Sequence, residues 1–415
     1  MGDARRCPGR APGFAPGGYH AHPVDDRERG CWAAFNRVPG IGPVRVRRLL
    51  AGFGSLSAAW DAPGADLGRA GLDRRSVAAL IALRGRIGPE GELERARRAG
   101  ARVVTWSDED YPARLTTIPD PPPVLYLRGT LLPRDERALA MVGTRRPTLY
   151  GRDVAERLAR DLAAAGLTVV SGLAKGIDTH AHRGALAGGG RTLAVLGNGP
   201  DVVYPPENRR LAAAIAEAGA LLTDYPPGTG PEAQNFPPRN RIISGLAPAV
   251  LVVEAGERSG ALITSRYALD QGRDVYAVPG PVTSPVSRGC HELIQDGARL
   301  VASAEDVLTA LDGPSAVAVA AARAARAAQQ LALDLASPPG APAGGAPPGA
   351  PRPEDDPATA SLLAVLAGAG TAAHVDQLAR TLARPVQDVA GALTRLELAG
   401  RVRHVGGMRY ILTAF

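Results

Sequence analysis

The segment 171–182 holds the only lysine of this chain, which otherwise carries arginine at its basic positions. It reads Ser171-Gly172-Leu173-Ala174-Lys175-Gly176 and then continues into a helix-like stretch, and an apolar run precedes it. A strand, a glycine-containing turn and a helix N-terminus therefore meet here. Such a junction presents backbone N–H groups and the positive end of a helix dipole, which suit a phosphate. We predict that Ser171, Gly172 and Lys175 contact a polyanion.

Two further junctions of the same kind lie upstream and downstream. Gly143 and Arg145 follow the apolar run 139–142, and Ser259 and Gly260 follow the run 250–253. Three anion-accepting turns in one sheet pattern predict a surface that follows a phosphate chain, and we predict that all four of these residues contact it.

The segment 235–245 adds Arg239, Asn240 and Arg241 to the predicted set. Arginine can grip a phosphate with two parallel hydrogen bonds, and an asparagine between two arginines can bond a base edge or its own turn. The alternative is structural, with either arginine paired to a core carboxylate such as Glu254. Arg145 could in the same way pair with Asp178.

His180 and His182 are the only histidines near these turns, and they raise the question of a metal. Their spacing of two residues directs them to different helix faces, and no third ligand follows nearby. We therefore predict no metal and no other cofactor, and interpret both as residues that orient the loop. Asp178 fits a helix N-cap.

Composition excludes several classes of protein. The chain has 415 residues, 45% of them hydrophobic and 4% aromatic. No apolar run reaches the roughly 18–20 residues of a membrane span, and three distant cysteines indicate no disulfide framework. We expect a cytoplasmic protein without membrane contact. Neither a GxxxxGK[ST] loop nor a GxGxxG spacing occurs, so we expect no ATP turnover and no hydride transfer. The scarcity of aromatic residues predicts that phosphate contacts dominate binding over stacking.

The positions of the apolar runs predict an α/β fold with a Rossmann-like, doubly wound sheet. Runs typical of buried parallel strands recur with helical stretches between most of them, at 139–142, 167–170, 192–196, 220–223, 250–253, 275–278 and 299–301. Ligands of such sheets bind at the carboxyl ends of the strands, where all three turns lie.

The sequence divides into five predicted segments. Residues 1–30 have the composition of a disordered tail. Residues 31–104 form a helical domain whose Gly40-Ile41-Gly42 turn resembles a helix-hairpin-helix (SAM-like) module, which binds either a DNA phosphate or a protein. Residues 105–312 form the Rossmann-like domain. An Ala/Pro-rich linker, 313–357, precedes a winged helix at 358–415, with three helices and a Gly-Gly hairpin.

The motifs of residues 105–310 closely resemble the DprA/Smf family of DNA-processing proteins. The resemblance follows the order of the chain through Met141–Arg145, 171–182, 191–199, Tyr204-Pro205, 236–241, 254–264 and 277–280. Local departures are Thr223-Asp224, where many members have Ser-Glu, and His291, where Asn is usual. Neither departure touches the predicted phosphate turns.

The resemblance implies a non-enzymatic protein that binds and protects single-stranded DNA. It also implies that the chain forms a homodimer and loads the RecA recombinase during natural transformation and recombination. Two alternatives stay open at this point. One is a nucleotide-hydrolysing Rossmann enzyme, although the Pro-Gly-Gly-x-Gly-Thr loop of that group is absent. The other is a DNA-binding regulator that acts through the winged helix.

Overall fold

The computed structural model describes residues 24–312, 357–369, 373–398, 401–404 and 409–412. The chain divides into two compact units, Met1–Leu333 and Asp334–Phe415. The first contains a helical module followed by an α/β domain, and the second contains the C-terminal helices and strands. The predicted linker lies outside the described residues, apart from Pro357. Among the described residues, no helix has both the length and the apolar character needed to cross a bilayer.

The helical module begins earlier than the composition predicts. Helix α1 starts at Asp26, so the prediction of a disordered tail is wrong for residues 26–30, while residues 1–23 lie outside the described part. The Asp25 carboxylate accepts the Glu28 N–H at 2.7 Å and caps the helix. Buried Glu28 then accepts from the Trp32 indole at 2.9 Å and from the Leu56 N–H at 2.8 Å. The module comprises α1 (Asp26–Phe35), α2 (Pro43–Phe53), α3 (Leu56–Asp61), α4 (Gly64–Arg69), α5 (Arg74–Arg84) and α6 (Pro89–Arg98).

The predicted helix-hairpin-helix turn connects α1 to α2. Ile41 donates its N–H to the Val38 carbonyl at 3.1 Å, and Gly42 donates to Gly40 at 3.2 Å. These two N–H groups are therefore used within the turn. Whether the turn binds a phosphate or a protein stays a prediction.

The α/β domain is built on one nine-stranded sheet in the order β1-β2-β6-β5-β4-β3-β7-β8-β9. Its strands are β1 (Arg102–Thr105), β2 (Val124–Gly129), β3 (Ala138–Val142), β4 (Thr168–Ser171), β5 (Thr192–Val195), β6 (Ala220–Thr223), β7 (Ala249–Val252), β8 (Asp274–Ala277) and β9 (Arg299–Leu300). The seven strands from β3 to β9 are mutually parallel, which confirms the predicted sheet. Strands β1 and β2, which the sequence analysis lacked, extend the sheet in antiparallel fashion beside β6.

Helices cover both faces of this sheet. They are α7 (Ala113–Thr116), α8 (Leu149–Ala164), α9 (Ile177–Ala187), α10 (Arg209–Ala218), α11 (Phe236–Gly245), α12 (Ala261–Asp270), α13 (Arg288–Gln295) and α14 (Ala304–Asp312). Successive strand residues point to opposite faces. Leu139 and Met141 therefore join the core of α8 and α9, whereas Ala140 and Val142 join the core that includes α11 and α12. The fold is a doubly wound α/β sheet, as predicted.

The order of the strands places a topological switch point between β3 and β7. From β3 the chain proceeds through β4 and β5 to β6 on one side, then returns and continues through β7 on the other. The crossovers on the two sides leave a crevice at the carboxyl ends of β3 and β7, where ligands of such sheets bind.

The second unit is a winged helix. Three helices, α15 (Pro357–Ala369), α16 (Val375–Thr381) and α17 (Val386–Leu398), accompany β10 (Ala373–His374), β11 (Val402–His404) and β12 (Arg409–Leu412). The three strands form an antiparallel sheet in the order β10-β12-β11. Leu362, Leu378 and Leu393 lie in its core. The predicted Gly-Gly turn falls within 405–408, outside the described residues.

Candidate nucleic-acid interface

The three predicted turns lie side by side and are joined by main-chain hydrogen bonds. The Thr144 N–H, after β3, donates to the Glu254 carbonyl after β7 at 2.7 Å. The Ile177 N–H, at the start of α9, donates to the Thr144 carbonyl at 3.2 Å. Gly176 permits this approach, because it has φ 83° and a Cβ there would lie 2.3 Å from the Thr144 oxygen. The turns thus form one rigid edge of the sheet.

Several turn N–H groups that the sequence assigned to phosphate are used internally. Thr144 and Ile177 donate to neighbouring turns, and Gly172 and Ala174 donate to the Asp178 carboxylate at 3.1 and 3.3 Å. The helix N-cap is Gly176, so the prediction that Asp178 caps α9 is wrong. Asp178 instead holds the turn that precedes the helix. Attraction for an anion must therefore come largely from side chains.

Arg239 lies at the base of the edge and is almost fully buried, with 3% of its surface exposed. Its guanidinium donates to the Gly172 carbonyl at 2.9 Å and to the Val195 carbonyl. Burial lowers the pKa of Arg239 to about 10, which still leaves it charged at neutral pH. Burial raises the pKa of Asp178, because it disfavours the charged carboxylate, and the positive charge of Arg239 opposes that rise.

Gly172 separates these two charged groups and leaves no room for a side chain. A Cβ at Gly172 would lie 2.7 Å from Arg239 Nη2 and 2.8 Å from Asp178 Oδ2. The neighbouring Leu173 has a left-handed backbone, φ 56°. Its carbonyl accepts from the Asn208 amide at 3.0 Å, and its side chain is buried. Such conformations persist where the surroundings fix them, so this turn is built to hold Arg239 in place.

The Phe236 ring lies near two arginines and beside the ring of Tyr204. The Phe236 and Tyr204 ring centroids are 5.7 Å apart. The Arg145 guanidinium carbon lies 5.3 Å from the Phe236 centroid, and that of Arg239 lies 5.7 Å from it. Both distances are within cation–π range. A partly exposed ring with a cation nearby can accept a nucleobase, which also offers a π face.

These groups surround a cleft of about 480 Å³. The cleft is lined by six of the predicted DNA-binding residues, namely Gly143, Arg145, Arg239, Asn240, Ser259 and Gly260. Arg146, Asp178 and Phe236 also line it. A small adjoining depression is lined by Gly172, Lys175, Tyr204 and Phe236, and shares Arg145 with the cleft. The structure therefore brings together eight of the ten predicted residues.

Ser171 and Arg241 line neither depression, so the structure does not place them with the other eight residues, and their contact with a ligand stays a prediction. Ser171 is fully buried, and its hydroxyl donates to the Met141 carbonyl at 2.7 Å, which joins β4 to β3. Arg241 forms ion pairs with Asp120 and Asp224, each at 2.9 Å. It is two positions beyond Arg239 on α11, about 200° around the helix, and so faces the opposite way.

Lys175 occupies the rim rather than the cleft. Its side chain is 59% exposed and forms an ion pair with Glu207, which is 53% exposed. That hydrogen bond raises the pKa of Lys175. A phosphate can replace the Glu207 carboxylate beside Lys175 at little cost in free energy, because an exposed ion pair contributes little.

Glu254 and the histidines have structural partners. Glu254 accepts from the Thr148 N–H at 2.9 Å and the Thr148 hydroxyl at 2.7 Å, at the start of α8, and not from an arginine. His180 Nδ1 lies 3.0 Å from Glu156 Oε2, and His182 Nδ1 lies 2.6 Å from the Thr192 hydroxyl oxygen. Across the residues that the structure covers, no cluster of three His, Cys, Asp or Glu side chains could hold a metal ion.

The contact between the Tyr204 and Phe236 rings was not predicted from the sequence. Phe236 opens the same segment as Arg239, but Tyr204 lies 32 positions earlier in the chain, after β5. An overall aromatic content of 4% gave no indication that two rings meet at the ligand edge.

Comparison with known proteins gives matches for both units. Residues 102–312 match the model of the DNA recombination-mediator protein A family, and residues 346–408 match the DprA winged helix domain. Protein Smf of Synechocystis is 39% identical over 393 residues, which cover 92% of this chain and 98% of that protein. DNA processing protein DprA of Streptococcus pneumoniae is 47% identical over 201 residues, 48% of this chain and 71% of that protein.

The crystal structure of DNA processing protein A from Streptococcus pneumoniae is also similar. It superposes with a TM-score of 0.60 at 36% identity, and covers 68% of this chain and 97% of that one. The resemblance therefore extends from sequence motifs to the fold of the first unit.

Proposed function

This chain belongs to the DprA/Smf family of DNA-processing proteins, and from that membership we propose that it binds single-stranded DNA in the cleft and delivers the strand to the RecA recombinase. The observation that carries the proposal is the Phe236 ring with guanidinium groups at 5.3 and 5.7 Å, at the mouth of the cleft. Arginine supplies charge-assisted bonds to phosphate, and the ring supplies a face for a base.

The shape of the cleft favours a single strand over a duplex. A cleft of about 480 Å³ has room for a nucleotide. The faces of paired bases are covered by their neighbours in a duplex, and exposing one costs a few kcal/mol. A strand that is already unpaired avoids that cost, so protection of incoming single strands fits this site.

We propose that the cleft binds without turnover. Its carboxylate, Asp178, is buried, accepts two backbone N–H groups and faces the positive charge of Arg239. A carboxylate in those contacts positions the turn. Incubation of purified protein with nucleotides tests this, because release of free base or phosphate would support the nucleotide-hydrolysing alternative.

Recombinase delivery, assembly as a homodimer and a cytoplasmic location complete the proposal. Family membership supports these three points, and the relatives' names as DNA-processing and recombination-mediator proteins support a role in recombination. A strand held by its phosphates leaves most base edges accessible, as a recombinase that must pair them requires.

The test is the binding of a fluorescent oligo-dT by the full chain and by Arg145→Ala. We expect Arg145→Ala to bind about 10- to 100-fold more weakly, the equivalent of one charge-assisted bond of about 1.5–3 kcal/mol. The slope of log affinity against log salt should become less steep by about 0.7, the value for one lost phosphate contact on single strands. RecA assembly on the strand should decline in parallel.

Arg160→Ala is the matched control, because Arg160 is an exposed arginine on α8 that pairs with Asp161 outside the cleft. It should leave affinity and salt slope unchanged. Equal binding by wild type and a well-folded Arg145→Ala would contradict the proposal.

A further inference from the structure

We propose that the helical module positions the DNA cleft, by means of Asn36 and Arg37, which hold the loop that leads into α11. This inference rests on the proposed function of the cleft. The loop, residues 224–235, connects β6 to Phe236, and Phe236, Arg239 and Asn240 line the cleft. The module would thus influence DNA binding without touching DNA.

The helical module is hydrogen-bonded to the loop through two side chains. Asn36, the residue that ends α1, donates from its side-chain amide to the Asp224 carbonyl at 2.8 Å. Arg37 donates to the Pro227 carbonyl at 2.7 Å. Arg37 is itself held by Glu92 of α6, whose side chain is 1% exposed. Both contacts are made to main-chain oxygens, so they fix the path of the loop rather than one of its side chains.

The loop is connected to α11 at two places. The Asp224 carboxylate pairs with Arg241 at 2.9 Å. The Tyr225 hydroxyl donates to the Asn235 carbonyl at 3.1 Å, immediately before Phe236. A displacement of residues 224 and 225 therefore reaches both the start of the helix and its second turn.

The orientation of α11 determines where its two arginines lie. Arg239 and Arg241 are separated by about 200° on the helix, so one faces the cleft and the other faces the loop. Arg241 is 9% exposed and is tied to both Asp224 and Asp120. Rotation of the helix around its axis would break these pairs as it displaced Arg239. Arg241 is therefore a positioning residue, which accounts for an arginine that does not line the cleft.

The test uses three full-length variants. Asn36→Ala removes the amide donor to Asp224, and Arg37→Met removes the donor to Pro227. Arg27→Met is the matched control, because Arg27 lies on α1 and pairs with the exposed Asp61 inside the module. Hydrogen exchange of residues 224–241 is measured without DNA, and oligo-dT affinity is measured across a salt series.

We expect faster exchange at 224–241 in Asn36→Ala and Arg37→Met, and an affinity about fivefold weaker, as for loss of one neutral hydrogen bond. The salt slope should be unchanged, since no phosphate contact is removed. Arg27→Met should match wild type in all three measurements. If Arg37→Met fails to fold because Glu92 loses a partner, Asn36→Ala still tests the inference, as it removes one neutral donor.

Three results would overturn the inference: unchanged exchange at 224–241, faster exchange with unchanged affinity, or a salt slope reduced by about 0.7, which would indicate direct phosphate contact. Failure of the proposed function has a different signature. In that case Arg145→Ala binds like wild type. The exchange measurement, made without DNA, still reports whether Asn36 and Arg37 hold the loop 224–235.

Discussion

The helical module and the α/β domain carry positive charge in different ways. The first 100 residues contain 17 arginines against 10 acidic residues, whereas the rest of the chain balances 31 basic with 31 acidic residues. The candidate DNA cleft nevertheless lies in the balanced domain. The candidate cleft is therefore located by the placement of individual arginines rather than by net charge.

Burial is the physical difference between Arg239 and the exposed arginine pairs of the module. In the module, Arg27 pairs with Asp61 and Arg45 with Asp73 at partly or largely exposed positions. Exposed ion pairs of this kind contribute little to stability and are screened by salt. In the α/β domain, Arg239 is held among buried carbonyl groups. A charge placed in a low-dielectric edge acts more strongly on a ligand than a solvated one.

The largest effect that would separate the two regions is expected at Arg239. Arg239→Met leaves the buried Asp178 without its nearby positive charge and removes the donor to the Gly172 carbonyl. We expect the free energy of unfolding to fall by about 3 kcal/mol or more, as when one partner of a buried pair is removed. Urea denaturation measures this.

Arg45→Met is the comparison within the module, where both side chains of the Arg45–Asp73 pair are partly exposed. It should reduce the free energy of unfolding by less than about 1 kcal/mol. If the two variants lost similar stability, burial would not be the distinction between the two regions.

The second effect is a dependence of stability on pH that arises in the α/β domain. The Thr192 hydroxyl donates to the Val169 carbonyl at 2.7 Å, so His182 must donate its Nδ1 proton to Thr192. Its Nε2 is buried and has no hydrogen-bond partner among the described residues. Burial lowers the pKa of His182 to about 3 from its ordinary value of 6.5.

The lowered pKa of His182 determines whether stability rises or falls with pH. Above pH 6.5 the histidine is neutral in both the folded and the unfolded chain, so its contribution is fully present. Below pH 6.5 only the unfolded chain gains the proton, and stability should decline by about 1.4 kcal/mol per pH unit until about pH 3. His182→Asn keeps a donor for Thr192 without a titrating group. Its unfolding free energy should depend less steeply on pH between 6.5 and 4, and an unchanged slope would contradict this account.

The strands and the site could be predicted from the sequence to different extents. Continuous apolar runs with helices between them located β3 to β9 within about a residue, because a parallel strand buried on both faces has no polar alternation. Strands β1 and β2 were missed, since antiparallel pairing beside β6 depends on contacts distant in sequence.

At the site, residue type predicted arginines but not their direction. Arg239 and Arg241 read alike in sequence, and only the rotation of α11 sends one into the cleft and the other to Asp120 and Asp224. The meeting of Tyr204 with Phe236 likewise depends on the crossover connections, which place residues from different loops together. Local pattern carries no information on either.

The third prediction contrasts one aromatic pair in each region. Phe236 stands beside Tyr204 at the cleft, whereas Phe35 packs against Trp60 in the core of the module with ring centroids 5.5 Å apart. Phe236→Leu should weaken oligo-dT binding by about 1–2 kcal/mol, a typical stacking contribution. Phe35→Leu should reduce the melting temperature and leave the affinity of the folded protein unchanged. Phosphate-dominated binding would instead make Phe236→Leu neutral, so titration of both variants decides between stacking and charge.

The smallest effect is expected at Lys175, whose exposed pairing with Glu207 resembles the arginine pairs of the module more than it resembles Arg239. A phosphate that reaches Lys175 must displace Glu207, so part of the attraction is cancelled by the carboxylate that leaves. We expect Lys175→Ala to weaken oligo-dT binding only slightly, as is usual for an exposed ion pair, and Lys175→Arg to weaken it still less, since the residue acts as a point charge. Glu207→Gln should strengthen binding, because the lysine is then released while local negative charge is removed. Affinities of the three variants at low and high salt provide the measurement, and the gain from Glu207→Gln should diminish as salt screens the exposed charges. A loss at Lys175→Ala as large as that at Arg145→Ala would place the lysine in the main phosphate path, and its pairing with Glu207 would then not set it apart from the cations that line the cleft.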